Sequence, residues 1–236
     1  ISTADDGSLY ICSTTINTNS EFDIRGHQTW MTQSISFKSV EDRRTFLRDT
    51  FSRERSKSNE YLADLNEDGF HDWNDLAVEK EEVWKIEDTN KDGYADKSTK
   101  VFEGFNEEIT DVAGALLIRD NDAFIGVGPD MWRLENLSNG ALTDPKSISH
   151  GYAVHIGFGG HGMSGLIEGP DGKIYWGIGD IGANLTDKEG NKHEYPNEGV
   201  IVRSNPDGSD FEIFASGLRN THEFVFDQYG NLITSD

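Results

Sequence analysis

Four stretches of the chain repeat one layout: a short apolar run, a turn rich in Gly, Asn or Asp, then a second alternating run. They are Ile1 to Thr14, Asp111 to Gly128, Gly165 to Gly179 and Glu223 to Ser235. Internal repetition of this kind limits the fold more than composition does, because every unit must be completed in the same way. The turns are Asp5-Asp6-Gly7, Arg119-Asp120-Asn121-Asp122, Pro170-Asp171-Gly172 and Gln228-Tyr229-Gly230-Asn231, so each stretch predicts a β-hairpin. A second hairpin follows the first three. Val83-Trp84-Lys85-Ile86 turns toward Thr99-Lys100-Val101-Phe102; Met131-Trp132-Arg133-Leu134 meets a turn at Leu137-Ser138-Asn139-Gly140. Val200-Ile201-Val202-Arg203 turns at Asn205-Pro206-Asp207-Gly208 before Phe211 to Phe214. Four antiparallel strands per unit, recurring about every 50 to 60 residues, predict an all-β chain in which each unit is a propeller blade. Residues 1–236 then form a partial β-propeller of three blades and the first hairpin of a fourth. An irregular β-sandwich is the competing arrangement.

One insertion, residues 17–82, interrupts the first blade between its second and third strands. Within it Ser39-Val40-Glu41-Asp42 has the form of a capping box, and Phe46, Leu47 and Phe51 fall near one face of a charged helix. A helical insertion is therefore expected on that blade. In an up-and-down blade the hairpin turns lie on one face, and the links to the next blade lie on the other. The linking face should carry the insertion, Gly104 to Glu107, Ser149 to Ser164, the loop from Gly179-Asp180, and Gly217 to His222.

Charge narrows the partners. With 21 Lys and Arg against 43 Asp and Glu, the formal charge is −22, and the positive residues are scattered. A phosphate backbone would meet repulsion, so nucleic-acid binding is not expected. The longest apolar run, Ala113 to Ile118, holds six residues, far short of a membrane span. The single cysteine, Cys12, excludes an internal disulfide and is expected as a buried strand residue. The chain opens at Ile1 and stops at Asp236 directly after a strand pattern, and is expected to be a fragment that is not active alone. An acidic surface with Asp-x-Asn-x-Asp-Gly loops suits a calcium-containing compartment, periplasmic or extracellular, with association at a membrane as a variant of it.

Two such loops are present. Asp64, Asn66, Asp68, Asp72 and Asp75 occupy positions 1, 3, 5, 9 and 12 of a calcium-loop spacing. Gly69 stands at position 6, and the Phe70 carbonyl at position 7. The second copy offers Asp88, Asn90, Asp92, the Tyr94 carbonyl and Asp96, with Thr99 at position 12. It also sits where a hairpin turn is expected, and a turn of Asn, Asp and Gly needs no metal. Calcium in the first loop, and either a structural ion or a bare turn in the second, are the expectations.

The densest chemistry lies between His150 and Gly165, a Gly-rich link that also holds His155 and His161. His161 enters an innermost strand, where a side chain can face the central channel, and Asp180 ends the second strand of the same blade. A carboxylate beside an imidazole fixes its tautomer and prepares it as a general base. Arg219 and Asn220 on the next link pair a permanent cation with an amide, a set suited to a carbonyl or oxyanion that gains charge. His150 and His155 can be structural.

The run from His161-Gly162-Met163-Ser164-Gly165 through Gly169-Pro170-Asp171-Gly172 to Ile178-Gly179-Asp180 resembles the signature of the glucose/sorbosone dehydrogenase family. Gly217-Leu218-Arg219-Asn220, followed by Phe226-Asp227, resembles that family's Arg-Asn motif, although Thr221-His222-Glu223 departs from its Pro-rich continuation. The insertion, with Asp23-Ile24-Arg25-Gly26-His27 and Val40-Glu41-Asp42-Arg43-Arg44, is similar to a subgroup described as membrane-bound dehydrogenases that carry a later c-type haem domain. The resemblance implies a six-bladed propeller that uses pyrroloquinoline quinone (PQQ) to oxidise a sugar or alcohol. His161 would take the hydroxyl proton and Asp180 would orient it. Arg219 and Asn220 would bind the quinone and polarise its carbonyl. Electrons would pass to haem, in an electron-accepting cytochrome or a fused haem c domain.

Two other functions fit the same residues. A calcium-dependent, lactonase-like propeller hydrolase would need a metal cage, to which Asn106, Glu107, Asn220 and Asp180 could contribute. A non-catalytic propeller would present the insertion to a protein or glycan.

Overall fold

A computed structural model of the protein describes residues 1–16, 21–136 and 140–236. Strands dominate, in small antiparallel sheets, and helices are few. The first four-stranded sheet is ordered β1 (Ser2–Thr3), β2 (Leu9–Thr14), β3 (Glu81–Glu87), β4 (Lys97–Gly104). Its successor follows the same plan with β5 (Ala113–Arg119), β6 (Asp122–Val127), β7 (Asp130–Asn136) and β8 (Leu142–His150). The third places β9 (Met163–Glu168) beside β10 (Ile174–Ile178), then β13 (Gly199–Ser204) and β14 (Glu212–Leu218). A last hairpin pairs β15 (Phe224–Phe226) with β16 (Leu232–Thr234). The expected hairpins therefore form in the expected order. The turn expected at residues 137–139 and the first four residues of the insertion, 17–20, lie outside the described residues.

Period-2 alternation explains the packing, because neighbours along a strand face opposite ways. On β6, Ile125 joins a cluster with Val83, Val101 and Leu134, whereas Phe124 joins one with Trp176, Ile178 and Val200. On β10 and β13, Trp176, Val200 and Val202 turn back toward the second sheet, while Tyr175 and Ile201 meet Phe224 of the last hairpin. The second and third sheets are thus sandwiched between their neighbours in sequence, and each fully buried Ile or Val contributes about 1.5–3 kcal/mol. The seams are tight. A Cβ on Gly114 of β5 would run into the Met163 carbonyl of β9, and one on Gly165 would run into the His222 carbonyl before β15.

Helices occur only between β2 and β3 among the described residues. They are α1 (Met31–Ser36) and α2 (Val40–Thr50), with three short 3-10 segments. Ser39 caps α2 as expected: its side chain accepts from the Asp42 N–H while the Asp42 carboxylate accepts from the Ser39 N–H. Phe46, Leu47 and Phe51 are buried with Phe37, Leu76, Ile109 and Ile156, so this excursion has its own core against the linking segments.

Two features differ from expectation. Cys12 lies in β2 but is only partly covered, although burial pushes its thiol up to about 12. A further hairpin, β11 (Ala183–Thr186) with β12 (Lys192–Tyr195), projects between β10 and β13. No helix of the described residues is long and apolar enough to cross a membrane.

Candidate functional site

The end of β10 and the links into β9 and β15 meet at one place. Gly179 follows β10, and its N–H donates to the His161 carbonyl at 3.0 Å; the next N–H, of Asp180, donates to the Arg219 carbonyl at 2.7 Å. A side chain at Gly179 has no room, because its Cβ would stand 2.7 Å from the His161 oxygen and 2.8 Å from the Arg219 oxygen. Glycine there lets three separate segments close on each other.

The His161 ring is buried, and its Nδ1 lies 2.7 Å from Asp180 Oδ1. With the carboxylate oxygen as acceptor Nδ1 is the donor, and in the neutral imidazole that leaves the lone pair on Nε2. No protein group among the described residues bonds Nε2. Phe158 packs 5.4 Å from the His161 ring, and the Arg219 guanidinium lies 5.8 Å from the centroid of the same Phe158. Arg219 makes no ion pair among the described residues, in a chain with 43 acids to 21 bases. Its backbone N–H and that of Asn220 both donate to Asp236 Oδ1, at 2.8 and 2.7 Å. The Asn220 amide pairs its nitrogen with His222 Nε2 at 3.1 Å, while its Oδ1 is sealed from solvent without a partner. The four residues singled out in the sequence are therefore neighbours, with Phe158, Gly179, His222 and Asp236 completing the surroundings. Nothing in the sequence pattern marked Phe158 or Asp236. Gly179 was visible only as part of a motif.

The other histidines of the link are structural. His150 Nδ1 pairs with Asp130 Oδ1 at 3.0 Å, which raises its basicity. His155 is held on both nitrogens, by the Ser34 carbonyl and by Asn197 Oδ1.

The calcium-type loops are closed by their own amides. Asp64 accepts from the N–H of Asp68 and Gly69, Asn66 from Asp68, and Asp68 from Phe70. Asp75 is fully buried and accepts from Leu65, Asn66 and Asp72, and Asp72 accepts from Asn74. In the hairpin turn between β3 and β4, Asp88 accepts from Lys91, Asp92 and Gly93, Asn90 from Asp92, Asp92 from Tyr94, and Asp96 from Thr89. Among the described residues no three of His, Cys, Asp and Glu gather as a metal-holding group. The spacing read as a ligand set thus forms self-capped Asx turns. Of the residues suggested for a hydrolase cage, Asn106 donates to the Ala77 carbonyl, and Glu107 is paired with Arg44 at 2.7 Å.

Buried carboxylates that the sequence reading missed lie on the approach to β5. Glu81 takes hydrogen bonds from Thr14 and from the Ala113 N–H, and burial pushes it up to about 7. Asp111, raised by burial and opposed by Arg43, has Oδ2 sealed without a partner.

A family model described as a domain of unknown function (DUF7133) matches residues 57–236. No curated protein matches the sequence.

Proposed function

We propose that the chain, which belongs to the DUF7133 family, is the substrate-oxidising part of a quinone-dependent dehydrogenase built on a β-propeller. The order of the three sheets, with the second and third sandwiched between their sequence neighbours, supports the propeller reading. The reading of activity is carried by one observation: His161 is fixed by Asp180 at 2.7 Å with Nε2 unengaged, beside an arginine that forms no salt bridge among the described residues.

Such a dyad takes the proton of a substrate hydroxyl. As the O–H proton moves to His161 Nε2, the carbinol C–H leaves as hydride and the carbonyl forms; Asp180 stabilises the imidazolium that results. PQQ, when bound, supplies the two-electron acceptor for that hydride. Arg219 suits it, because its planar fork forms no salt bridge among the described residues and matches a carbonyl or carboxylate edge; Asn220 Oδ1, an acceptor without a protein partner, would suit a ring N–H. Electrons would leave to a haem-containing acceptor.

The test is dye-linked oxidation of alcohols and sugars by the intact protein with and without added PQQ. Turnover that needs the quinone and disappears in His161→Ala supports the assignment. Wild-type turnover in that variant removes it and leaves a binding propeller.

A further inference from the structure

The excursion between β2 and β3 builds one wall of a cavity next to the dyad. The cavity measures about 340 Å³, within the range of small-molecule sites, and Ile24, Met31 and Ile35 of the excursion face Phe158 and Ile181 across it. Asp180 is the one carboxylate that lines it, and that carboxylate is the one bonded to His161. The cavity therefore adjoins the dyad through Asp180, and through Phe158, which packs against the His161 ring.

Its wall is preformed. α1 is pinned to the link before β9 by Ser34, whose hydroxyl bonds both the carbonyl and the N–H of Ile156 at 3.0 Å, and by His155 on the Ser34 carbonyl. Ile24 N–H donates to Gly157 O at 2.9 Å, and Gly159 N–H to Asp23 at 3.0 Å. Met31 and Ile35 stand four apart on one face of α1, yet remain 43% and 61% exposed. In a chain of formal charge −22, two large apolar side chains held in the open beside an apolar cavity call for an apolar occupant.

A free sugar fits this lining poorly. Its hydroxyls would give up water to a lining with few polar groups left: the Ser34 hydroxyl is engaged by Ile156 and Asn197 Oδ1 by His155, which leaves Asp180 Oδ2 and Asn197 Nδ2.

We propose that this cavity seats the apolar body of the substrate, and that Met31 and Ile35 select alcohols bearing an alkyl or aryl chain over free sugars. The selection rests on the oxidation reading above; the cavity's affinity for an apolar ligand does not.

Two measurements separate them. In dye-linked assays of the intact protein with PQQ, kcat/KM for 1-hexanol should exceed that for ethanol and for D-glucose by about tenfold or more. Met31→Gln and Ile35→Asn, both at exposed positions and so compatible with folding, should each lower the hexanol value by about tenfold and leave ethanol within about twofold. Calorimetric binding of 2-methyl-2-hexanol, a tertiary alcohol with no carbinol hydrogen to lose, should be weakened by Ile35→Asn to a similar degree. If the tertiary alcohol binds and no alcohol or sugar is oxidised, the cavity assignment stands and the dehydrogenase reading falls. If glucose is preferred, or if hexanol turnover and tertiary-alcohol binding ignore both substitutions, the proposal is overturned.

Discussion

The N–H of Asp180 donates to the carbonyl of Arg219 at 2.7 Å, so the residue that holds His161 is tied through its backbone to the loop that carries the arginine. Movement of either loop changes the spacing between proton acceptor and cation. Binding and proton transfer at this place should consequently respond together to a change in backbone fit.

Gly179→Ala tests that coupling. The new methyl would meet the carbonyl oxygens of His161 and Arg219 below 3.0 Å, and backbone cannot swing aside as a flexible side chain can. Thermal unfolding should show a loss of about 1–3 kcal/mol. Dye-linked turnover should fall further than the unfolded fraction explains.

Asp180→Asn keeps the size of the side chain and removes its charge. The amide can still occupy the 2.7 Å contact with His161, but it no longer stabilises an imidazolium. Turnover of the intact protein should drop about 10²- to 10⁴-fold, with the melting temperature nearly unchanged. Equal activity in mutant and wild type would mean that His161 is not the proton acceptor.

Glu81 gives a pH signature. Its folded carboxyl is raised to about 7, above the unfolded value of about 4.3, chiefly by burial, with Asp111 and Glu79 adding repulsion against the hydrogen bonds from Thr14 and Ala113. Between those two values the folded state holds the extra proton, so stability falls as pH rises through that window and the penalty is complete above about 7. Glu81→Gln should flatten this limb. Melting curves from pH 4.5 to pH 8 on the two proteins provide the comparison, with Glu81→Gln the more stable at pH 8.

Asp75 should matter more than the exposed acids of its loop. It is fully buried, and three backbone N–H groups depend on it, from Leu65, Asn66 and Asp72. Asp75→Ala should cost about 2–4 kcal/mol in denaturant unfolding, because it strands those donors. Asp68→Ala should cost under about 1 kcal/mol.

Much of this arrangement was legible in the chain. Alternation such as Phe124-Ile125 and turns such as Pro170-Asp171-Gly172 carry direct physical information about strands and reversals, so the sheet order followed. The Ala183 to Tyr195 hairpin escaped because its strands are short and polar, although Asp187 to Asn191 is a turn that could have betrayed it. His161, Asp180, Arg219 and Asn220 were legible because each ends or enters a strand on the linking side. Phe158, Met31 and Ile35 were not, since their roles depend on how the excursion lies against a Gly-rich link, which no local period encodes. At Asp64 to Asp75 one spacing serves two ends, cation binding and Asx-turn capping, and the structure shows the second.

The glycines at the seams set a ruler for the whole assembly. At Gly114 and Gly165 the distance from one sheet to the next is fixed by main chain against main chain, so the fillings between sheets can be exchanged without altering the pitch. Asp111 and His161, each two residues ahead of a first strand, inherit that pitch directly. Drift in the hydrophobic layers would then be forgiven, whereas one added methyl at a seam would propagate to the mouth of the site. The excursion, packed on its own core, stands outside this metering.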